Sequence, residues 1–540
     1  MDPIGVSLAQ MLAAAPPAQI AVRYGTQTVT YGEIERDSIA VATHLHALGM
    51  RAGDRIAVWL PNIPAWLVLL FACARLGAIV VAVNTRFRSH EVADIVGRSG
   101  CRVLVVWPNF KAIDFAGILA AVPPTALAAL EHVVVYAETP GAIAQALLPG
   151  VAVSHWDDLL RQSTPAPMPG TGADRCVIFT TSGTTKAPKF VCHLQQTVVV
   201  HARDVAAALG LVTPGALVLQ ALPLCGVFGF TQALAAIVAA VPMRMLSVFD
   251  AAEAAAWVRE EGVTHMNGVD DMIDRMLAVY PEQRPFPTLR HFGYALFNPA
   301  LDNIVLQAQR RGVSVRGLYG MSECHAFYAL QPLTQTAAER RKGGGMPVSS
   351  AAQVRVRDPA TGTLVAAGVH GELEISGPSL MHEYFNDPAA TAATMTADGY
   401  LRTGDLGYLE SDGRFCYVAR MGDVLRLGGF LTSPLEIEAV LDAHPTVISS
   451  QVVAIDIGGT LAPVAFVLAT AGRCDELAII EFCRARLAGY KVPRRVFTLA
   501  AFPTTLSANG TKIQKSRLRE LAVARLVIEV NEAITGEKHP

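Results

Sequence analysis

The sequence predicts an α/β protein with a large N-terminal part of doubly wound sheets plus a small barrel, followed by a small α+β unit. Three observations predict this fold class. Up to about residue 320, apolar runs of strand length alternate with helix-length segments, the order of a mostly parallel sheet with helices on both faces. From about residue 350 the runs become short, with glycine or aspartate turns, as in antiparallel hairpins or a small barrel. After Arg420 come about 115 residues of mixed helix and strand, enough for a separate core.

The first round of strands and helices is predicted from apolar runs between glycine, proline and polar turns. Its most apolar stretch, residues 66–83, has Arg75 and Gly77 in its middle, so we expect a buried helix, a glycine stop and a strand rather than a membrane span. The proline-rich run 164–170 indicates a surface connector. The predicted elements are strands at 20–24 and 28–31, a helix from Tyr31 to about Leu48, a strand at 54–60, a helix from 61, and strands at 78–83, 103–107 and 132–136.

The second round and the later units are predicted in the same way. The apolar residues 223–230 are interpreted as a flexible turn after a strand. The second-round elements are strands at 217–222, 263–266, 291–296 and 313–318 with helices at 251–261 and 271–279. Those of the barrel and the C-terminal unit are strands at 353–357, 371–376, 408–409, 414–418, 447–455, 461–468 and 495–499 with helices at 434–441 and 476–487.

Composition excludes several classes of function. The formal net charge of −2 gives no electrostatic basis for binding nucleic acid or an anionic membrane. The nine cysteines are scattered singly, without a Cys-x-x-Cys pair, so neither a disulfide framework nor a structural metal is indicated. No basic residue precedes Arg23, so the N-terminus lacks the charged start of a signal peptide. We expect a cytoplasmic enzyme.

A Ser/Thr-rich loop, residues 180–189, follows the buried run 177–179 and ends in two lysines on either side of a proline. Hydroxyls, backbone N–H groups freed by a glycine turn and an ammonium group suit a polyphosphate. The loop is not a Walker A loop, because Pro188 stands where a second glycine should precede the lysine. The alternative interpretation is a polar surface loop.

Two carboxylates are candidates for nucleotide contacts. Glu323, just past a predicted strand, could hold Mg²⁺ on a phosphate, or it could be a first-turn residue of a helix capped by Ser322. Asp405, in the predicted tight turn 403–407, could accept two ribose hydroxyls, although a turn aspartate more often bonds its own backbone.

Two further segments lie beyond the barrel. Residues 420–423 fall at a joint in the sequence pattern, where a linker is the ordinary interpretation and a hinge at Gly422 the alternative. Residues 507–515 form a predicted polar loop with Lys512 and Lys515, a pattern that in most proteins is solvated surface. No single segment identifies a function, but the order and spacing of the whole set do.

In that order, the segments resemble those of the adenylate-forming superfamily, which includes acyl- and aryl-CoA synthetases, adenylation domains of nonribosomal peptide synthetases and firefly-type luciferases. The resemblance runs from residue 29 to Lys515. It implies a large N-terminal adenylation domain, residues 1–421, that binds ATP and the acid. It also implies a small mobile C-terminal domain, residues 422–540, that carries the catalytic lysine, and it implies ATP, Mg²⁺ and coenzyme A as cofactors.

The resemblance assigns roles to individual residues. Catalysis falls to Lys512, Glu323 and Thr181, and Glu323 is also the implied metal ligand. The joint at Gly422 is the implied hinge. The implied nucleotide-binding residues are Thr181, Ser182, Gly183, Thr184, Thr185, Lys189, Tyr319, Gly320, Ser322, Glu323, Asp405, Arg420 and Lys512.

The implied chemistry has two half-reactions. A carboxylate attacks the α-phosphate of ATP to give acyl-AMP and pyrophosphate, and a thiol then displaces AMP. The first step joins two anions, so Lys512, Mg²⁺ and the loop donors must neutralise charge. The second step needs a thiol channel where Lys512 was, so the small domain is expected to rotate about Gly422 and present Gly428 and Gly429 to the acyl-adenylate.

Several positions depart from the family's pattern. Lys186 and Phe190 stand where glycines are usual around the phosphate loop, and Gly226 replaces a histidine on the substrate side. Asp270 stands where a proline is commoner. None of these changes removes a charged group that the chemistry requires, and the role of Lys186 is left unassigned.

The acid is expected to be uncharged and apolar, fatty or aromatic, because residues 225–232 carry no carboxylate that could pair with a substrate ammonium group. His265, His325 and Asp270 could contact a polar substituent, although each is more often a packing or surface residue. The predicted pocket residues are Val227, Phe228, Phe230, Met266, Tyr294 and Met321.

We expect a free-standing CoA ligase, since no carrier-protein segment follows residue 540. The alternatives are acyl transfer to a carrier-protein thiol or an amine, and a ligand-binding protein without catalysis. Retention of Glu323, Asp405, Arg420 and Lys512 disfavours the last of these. The expected partners are small molecules and a second copy in a homodimer, with no nucleic acid and no membrane span.

Overall fold

The computed structural model describes residues 5–111, 113–138, 147–161, 165, 167–181, 188–296, 301, 303–421, 425–427, 430–432, 434–457, 460–469, 475–487, 489–507 and 510–535. These residues fall into two compact units. The first takes in the described residues up to Val354 and 375–401, and the second takes in 355–374 and those from Arg402 onward. The predicted domain boundary at residues 421 and 422 lies inside the second unit and stays a prediction.

The strands follow the apolar runs closely. They are β1 (Ile20–Tyr24), β2 (Gln27–Thr30), β3 (Arg55–Trp59), β4 (Ile79–Ala82), β5 (Val103–Val106), β6 (His132–Val135), β7 (Ala152–His155), β8 (Arg175–Thr180), β9 (Phe190–Leu194), β10 (Val218–Gln220), β11 (Met243–Met245), β12 (His265–Val269), β13 (His291–Ala295), β14 (Val315–Tyr319), β15 (Ala329–Leu330), β16 (Gly344–Pro347), β17 (Gln353–Arg357), β18 (Gly371–Ser376), β19 (Glu383–Tyr384), β20 (Leu401–Leu409), β21 (Phe415–Arg420), β22 (Leu425–Leu427), β23 (Phe430–Thr432), β24 (Val447–Ile457), β25 (Thr460–Ala469), β26 (Arg495–Thr498), β27 (Thr504–Ser507) and β28 (Gly510–Ile513).

Several helices begin at side-chain caps, as at Thr30, whose hydroxyl accepts from the backbone N–H of Glu33 while the Glu33 carboxylate accepts from the N–H of Thr30. The helices are α1 (Leu8–Ala13), α2 (Tyr31–Ala47), α3 (Pro64–Leu76), α4 (Ser89–Ser99), α5 (Phe115–Ala120), α6 (Trp156–Leu159), α7 (Gln195–Leu209), α8 (Val227–Val238), α9 (Ala251–Glu260), α10 (Asp270–Val279), α11 (Ile304–Arg310), α12 (Ala337–Arg340), α13 (Pro388–Thr394), α14 (Pro434–Asp442), α15 (Glu476–Arg484) and α16 (Lys515–Thr535).

Two sheets organise the first unit and confirm the doubly wound prediction. One has the order β19-β9-β8-β4-β3-β5-β6-β7 and is parallel except where β9 pairs with β8 and β19. In the other, β14-β13-β12-β10-β11-β1 are parallel neighbours. Strand β2 pairs antiparallel with β1, and β15 pairs antiparallel with β14 and β16. The carboxyl ends of β8 and β14 lead into the two segments for which phosphate contacts are predicted, where ligand crevices open in such sheets.

The apolar stretch 66–83 folds as the sequence predicts. Helix α3 is buried almost all round, Gly77 ends it in the left-handed conformation at φ 71°, and β4 follows. Across the described ranges, every helix is too short or too polar to cross a bilayer.

The second unit contains a run of four neighbouring strands, a three-stranded sheet and two hairpins. Strands β17, β18, β20 and β21 are neighbours in that order, and β24, β25 and β26 form a three-stranded sheet. The pairs β22–β23 and β27–β28 are antiparallel hairpins. A core that includes Val452, Val467 and Ile479 lies between the three-stranded sheet and its helices.

Three local predictions are wrong. The predicted flexible turn 223–230 gives way to helix α8 from Val227, which is apolar on all sides and therefore has no helical period to detect. Asp405 lies within strand β20 rather than in a tight turn, because Gly404 at φ 67° lets the strand continue. Lys512 lies on strand β28 rather than in a loop.

Candidate active site

The two ends of the phosphate loop are held together between β8 and β9. The backbone N–H of Thr181 donates to Lys189 O at 3.0 Å, and the N–H of Lys189 donates to Thr181 Oγ1 at 3.3 Å. The two residues are thus fixed to each other directly after strand pairing ends at Thr180 and Phe190. The predicted phosphate contacts between them lie outside the described residues: Ser182, Gly183, Thr184 and Thr185.

An arginine without any local sequence signal anchors the second end of the loop. Arg98, in the last turn of α4, donates to Pro188 O from Nη1 at 3.2 Å and from Nη2 at 2.8 Å. Its guanidinium carbon lies 4.3 Å from the centroid of the Phe190 ring. Phe190, one of the departures from the usual glycine, therefore supports the cation that holds the loop. Arg98 and Pro188 are 90 positions apart in the chain.

Glu323 lies in a short 3₁₀ turn, Ser322–Cys324, close after β14. The residue is only 6% exposed, and its Oε1 accepts from the Tyr384 hydroxyl at 2.7 Å. Its carbonyl oxygen accepts from the N–H of Met381 at 2.7 Å. The other carboxylate oxygen, Oε2, has no hydrogen bond or ion pair to the described part of the chain. One oxygen is therefore fixed by the protein and one is left for a ligand.

Tyr384 joins Glu323 to the phosphate loop, and sequence reasoning missed it. Strand β19 pairs with β9 so that Tyr384 lies opposite Val191. The ammonium nitrogen of Lys189 lies 4.2 Å from the centroid of the Tyr384 ring, within cation–π range. Lys189, Tyr384 and Glu323 thus form one continuous group, which we call the Lys189–Tyr384–Glu323 group.

The chemistry of this group fits Mg²⁺. A magnesium ion prefers hard oxygen ligands and is commonly held by one or two carboxylates together with substrate phosphates. Glu323 Oε2 supplies one such oxygen. The described residues contain no cluster of three or more histidine, cysteine or acidic side chains that could hold a metal alone. Phosphate and water would therefore supply most of the remaining ligands.

In the second unit, the two predicted ribose residues lie together. Asp405 and Arg420 are partners across β20 and β21, with Arg420 Nε 3.1 Å from Asp405 Oδ1. The Asp405 side chain is 3% exposed and that of Arg420 is 51% exposed. Arg420 Nη1 also donates to Thr403 O at 3.2 Å. The pairing is the arrangement in which a buried carboxylate and an adjacent cation can both reach hydroxyls, and ribose binding stays a prediction.

The two C-terminal lysines differ in environment. Lys512 lies on β28 opposite Thr505, and its side chain is outside the description. Lys515 is committed to an ion pair, with its Nζ 3.0 Å from Glu438 Oε1, which also accepts from the N–H of Val452 at 2.8 Å. Lys512 therefore stays the predicted catalytic lysine. The predicted hinge and thiol-channel residues lie outside the described residues: Gly422, Gly428 and Gly429.

Three of the predicted pocket residues are sealed in the main core. Phe230 is fully buried, with its ring centroid 6.0 Å from that of Trp66 and 5.2 Å from that of Phe179. Met266 is fully buried on β12. The hydroxyl of Tyr294 donates to Arg341 O at 2.9 Å, so this polar tip is already bonded within the protein.

Of the other three pocket residues, Val227 and Phe228 are also buried, at 8% and 4% exposure, and only Met321 is partly exposed. The Phe228 ring centroid lies 6.0 Å from that of Phe327, a residue that sequence reasoning did not single out. Phe327 comes four positions after Glu323 and is fully buried, so the chain enters the core directly after the predicted magnesium ligand. The pocket assignment stays a prediction.

A left-handed turn makes that passage. His325, Ala326 and Phe327 have φ values of 59°, 52° and 45°. Left-handed helical backbone costs about 1–2 kcal/mol for each L-residue, and it is rare in runs. A side chain at Gly320 would collide with the backbone of Ala326 and Phe327, so this turn requires glycine at position 320 independently of any nucleotide.

Two stacked histidines hold the turn. The ring centroids of His193 and His325 are 3.5 Å apart. His193 Nε2 donates to Ser322 O at 2.9 Å, because a carbonyl can only accept. Burial lowers the pKa of His193 to about 3 and that of His325 well below its usual range, so both rings are neutral at physiological pH.

His265 and Asp270 take packing roles. His265 begins β12, with Nδ1 2.7 Å from Thr264 Oγ1 and Nε2 3.0 Å from Leu209 O. Asp270 is buried at the start of α10 and accepts from the N–H of Asp271 at 2.9 Å. Both histidine nitrogens are therefore used within the protein.

Comparison with known proteins places these observations in one family. A family model described as AMP-binding enzyme matches residues 10–385, and its C-terminal domain model matches residues 436–509. The chain is 30% identical to a 2-succinylbenzoate–CoA ligase of Geobacillus kaustophilus, over 93% of this chain and 95% of that protein. It is also 30% identical to the long-chain-fatty-acid–CoA ligase FadD13 of Mycobacterium tuberculosis, over 96% of this chain and 98% of that protein.

A solved structure supports the fold. ATP-bound MatB from Rhodopseudomonas palustris superposes with a TM-score of 0.80 at 23% identity, over 95% of this chain and 98% of that one. At that identity the likeness concerns the fold alone, a large α/β domain followed by a smaller one.

Proposed function

The chain belongs to the AMP-binding, adenylate-forming enzyme family and is a ligase of the acyl-CoA synthetase type; from that premise we propose that it joins an uncharged, apolar carboxylic acid to coenzyme A. The observation that carries the proposal is the Lys189–Tyr384–Glu323 group. It combines an ammonium group at the end of the phosphate loop with a carboxylate that has one open oxygen. These two charges suit the polyphosphate of ATP and its magnesium ion.

In the first half-reaction, a carboxylate oxygen of the acid attacks the α-phosphorus of ATP. The bond from that phosphorus to the β-phosphate oxygen breaks and pyrophosphate leaves. Residues 181–189 would bind the β- and γ-phosphates, Glu323 Oε2 would ligate the metal, and Lys512 would neutralise the meeting anions. When bound, Mg²⁺ supplies further neutralisation of phosphate charge. The Tyr384 hydroxyl holds Oε1 and thereby sets the direction of Oε2.

In the second half-reaction, the sulfur of coenzyme A attacks the acyl carbonyl as a thiolate. The bond between the carbonyl carbon and the AMP oxygen breaks and AMP leaves. We expect the C-terminal domain, residues 422–540, to rotate about Gly422 between the two steps, with Gly428 and Gly429 lining the path of the thiol. Asp405 and Arg420 would hold the ribose hydroxyls in both steps. A homodimer and a cytoplasmic location stay predictions.

An apolar acid suits Met321, the predicted pocket residue that keeps the most exposure. Its side chain is apolar and conformationally adaptable, whereas the Phe228–Phe327 pair is buried within the protein. The two ligases named above act on 2-succinylbenzoate and on long-chain fatty acids, so the test must include both aromatic and aliphatic acids.

The deciding experiment is a carboxylic-acid panel scored by pyrophosphate release, followed by formation of AMP with and without coenzyme A. We expect at least one apolar acid to give acyl-CoA together with AMP. Pyrophosphate exchange without acyl-CoA would instead support the alternative, transfer to a carrier-protein thiol or an amine. Absence of exchange with every acid would contradict the proposal.

The variant Lys512→Ala tests the catalytic lysine. Loss of one charge-stabilising donor typically lowers a rate by about 10²–10³-fold, and we expect a loss of this size in pyrophosphate exchange. Thiolation of supplied acyl-AMP should change by less than about fivefold, because that step does not use Lys512 in the proposed mechanism. Lys515→Ala is the matched control: it breaks the ion pair with Glu438 and should spare exchange. Wild-type exchange in Lys512→Ala would refute the assignment.

A further inference from the structure

The turn 325–327 is unusual enough to require a cause. Among the described residues, His325–Ala326–Phe327 is the only run of consecutive non-glycine residues with positive φ. Such backbone persists only where surrounding contacts determine it, and it concentrates at functional sites. The run directly follows the 3₁₀ turn that carries Glu323. Its contacts therefore decide how that carboxylate is presented.

Side chains from two helices fix the first residue of the turn. The Thr231 hydroxyl of α8 donates to His325 O at 2.5 Å. Thr197 Oγ1 of α7 lies 3.3 Å from His325 Nε2. Because the Thr197 hydroxyl already donates to Leu194 O at 2.9 Å, it accepts from the His325 ring. These bonds define both the backbone and the tautomer of His325.

The stack with His193 connects this turn to Glu323. His193 Nε2 donates to Ser322 O, the carbonyl one residue before Glu323, and its ring lies against that of His325. The N–H of Ala326 donates back to Met321 O at 2.8 Å. The segment from Met321 to Ala326 therefore forms a hydrogen-bonded turn. His193 fixes it near its start through Ser322 O and near its end through the His325 ring.

We propose that the His193–His325 stack is a positioning element for adenylation, which holds the left-handed turn so that Glu323 meets the phosphates. The proposal rests on the function proposed above and adds two residues to it. Phe327, the last residue of the turn, is fully buried and packs beside Phe228, so the turn is also anchored in the core. The geometry leaves neither ring a proton to exchange with a ligand, because both are buried and each donates from Nε2 within the protein.

The test separates the ring from the backbone. His325→Gly removes the ring and leaves a residue that adopts positive φ freely. Ala326→Gly relaxes the same turn and leaves the ring, so it is the matched control. We expect His325→Gly to raise the Mg²⁺ concentration for half-maximal pyrophosphate exchange at least fivefold and to lower kcat at least tenfold. Ala326→Gly should stay within twofold of wild type in both quantities.

A second pair of variants keeps the proposal testable if His325→Gly does not fold. His193→Gln retains a donor for Ser322 O and should keep most of the exchange activity, whereas His193→Leu loses donor and stack and should match His325→Gly. Melting temperature is measured for every variant, with His265→Asn as a control for loss of a buried imidazole remote from the turn. We expect His265→Asn to lower the melting temperature and leave the Mg²⁺ dependence unchanged.

The outcomes distinguish this inference from the proposed function. Wild-type protein without exchange for any acid contradicts the function itself. Two outcomes overturn only the positioning role, provided that the wild-type protein shows exchange. In one, His325→Gly has the wild-type Mg²⁺ dependence and kcat. In the other, His325→Gly and Ala326→Gly change these quantities equally. A shift in the Mg²⁺ dependence confined to the variants that lose the stack supports it, since general destabilisation would not move that quantity alone.

Discussion

The first unit contains two stacks of buried histidines that differ in how their nitrogens are bonded. His265 and His291, with ring centroids 6.1 Å apart, use all four nitrogens. His291 Nε2 donates to Asn267 Oδ1 at 2.9 Å and His291 Nδ1 accepts from Arg316 Nε at 3.1 Å. His265 bonds Thr264 and Leu209 as described above. Each ring is therefore locked in one tautomer.

The second stack is incompletely bonded. His201 lies 5.6 Å from His325 between ring centroids, and neither of its nitrogens has a hydrogen bond of standard geometry to the described residues. His193 Nδ1 also lacks one within the described chain. Side chains of α7 and α8 pack around His201 and His325 and leave no room for a water molecule.

The two stacks illustrate how a buried network that stabilises the fold can be told from one that serves a site. A fully bonded network fixes one packing and is expected to affect stability when it is cut. An incompletely bonded group costs stability, and that cost is retained where the arrangement serves a site. The second stack bonds the backbone one residue before Glu323, whereas the first reaches only the Phe327 ring, 6.4 Å from that of His291 between centroids, which agrees with this view.

The largest effect is expected from a substitution that breaks the fully bonded stack. His291→Leu leaves Asn267 Oδ1 and the buried Arg316 guanidinium without their shared partner, so we expect a loss of about 3 kcal/mol in unfolding free energy. Chemical denaturation monitored by tryptophan fluorescence measures it. His291→Gln, which can still donate to Asn267, should lose about half as much. A loss below about 1 kcal/mol for His291→Leu would mean that the network is not stabilising.

A smaller effect appears in the pH dependence. Burial lowers the pKa of His201 to about 4, below the value near 6.5 in an unfolded chain. Between these values the unfolded state binds more protons, so stability is full above about pH 6.5 and falls as the pH drops towards 4. From pH 7.5 to pH 5, we expect His201→Leu to gain about 2 kcal/mol over wild type.

His265 provides the matched comparison, because burial also lowers its pKa to about 4. His265→Leu should show the same gain on acidification but start from a less stable protein at pH 7.5, since it removes two bonded nitrogens. His201→Leu should start at or above wild-type stability. Thermal melting at pH 7.5 and pH 5 measures both, and equal starting stabilities would remove the distinction between the stacks.

The smallest effect concerns the opposite side of Glu323. Tyr384→Phe keeps the ring under Lys189 and removes the hydroxyl from Glu323 Oε1, so we expect kcat/KM for pyrophosphate exchange to fall about tenfold, or about 1.4 kcal/mol. Tyr328→Phe is the control: its buried hydroxyl bonds Gln353 O and Ser376 O instead. Equal losses in the two variants would show that Tyr384 acts through stability alone.

Much of the fold follows from the sequence because strand and helix periods are local. The strands β3, β4, β5 and β6 and the glycine stop at Gly77 lie where apolar runs and turn residues predict them. Helix α8 was missed for a physical reason: a helix buried on every side shows no period. The glycine beside Asp405 suggested a turn, whereas it serves as an irregularity within β20.

The candidate site could be predicted only in its motif residues. Thr181, Lys189 and Glu323 lie in segments whose residue composition indicates phosphate or magnesium binding. Tyr384 and Arg98 reach the site through contacts across 61 and 90 positions of chain, and neither has a local signal. The His193–His325 contact likewise depends on how β9 is placed beside the turn after β14.

The two hydrogen bonds between Thr181 and Lys189 have a consequence for insertions into this part of the chain. These bonds join the two ends of the loop directly beyond the last strand pair and so fix the register at which β9 begins. An insertion after Pro188 would break this register. It would shift β9 by one residue and exchange its two faces, which would displace both Phe190 and the strand that pairs with Tyr384. The Thr181–Lys189 pair thus sets the register of the strand that carries both Phe190, which supports Arg98, and the partner of Tyr384.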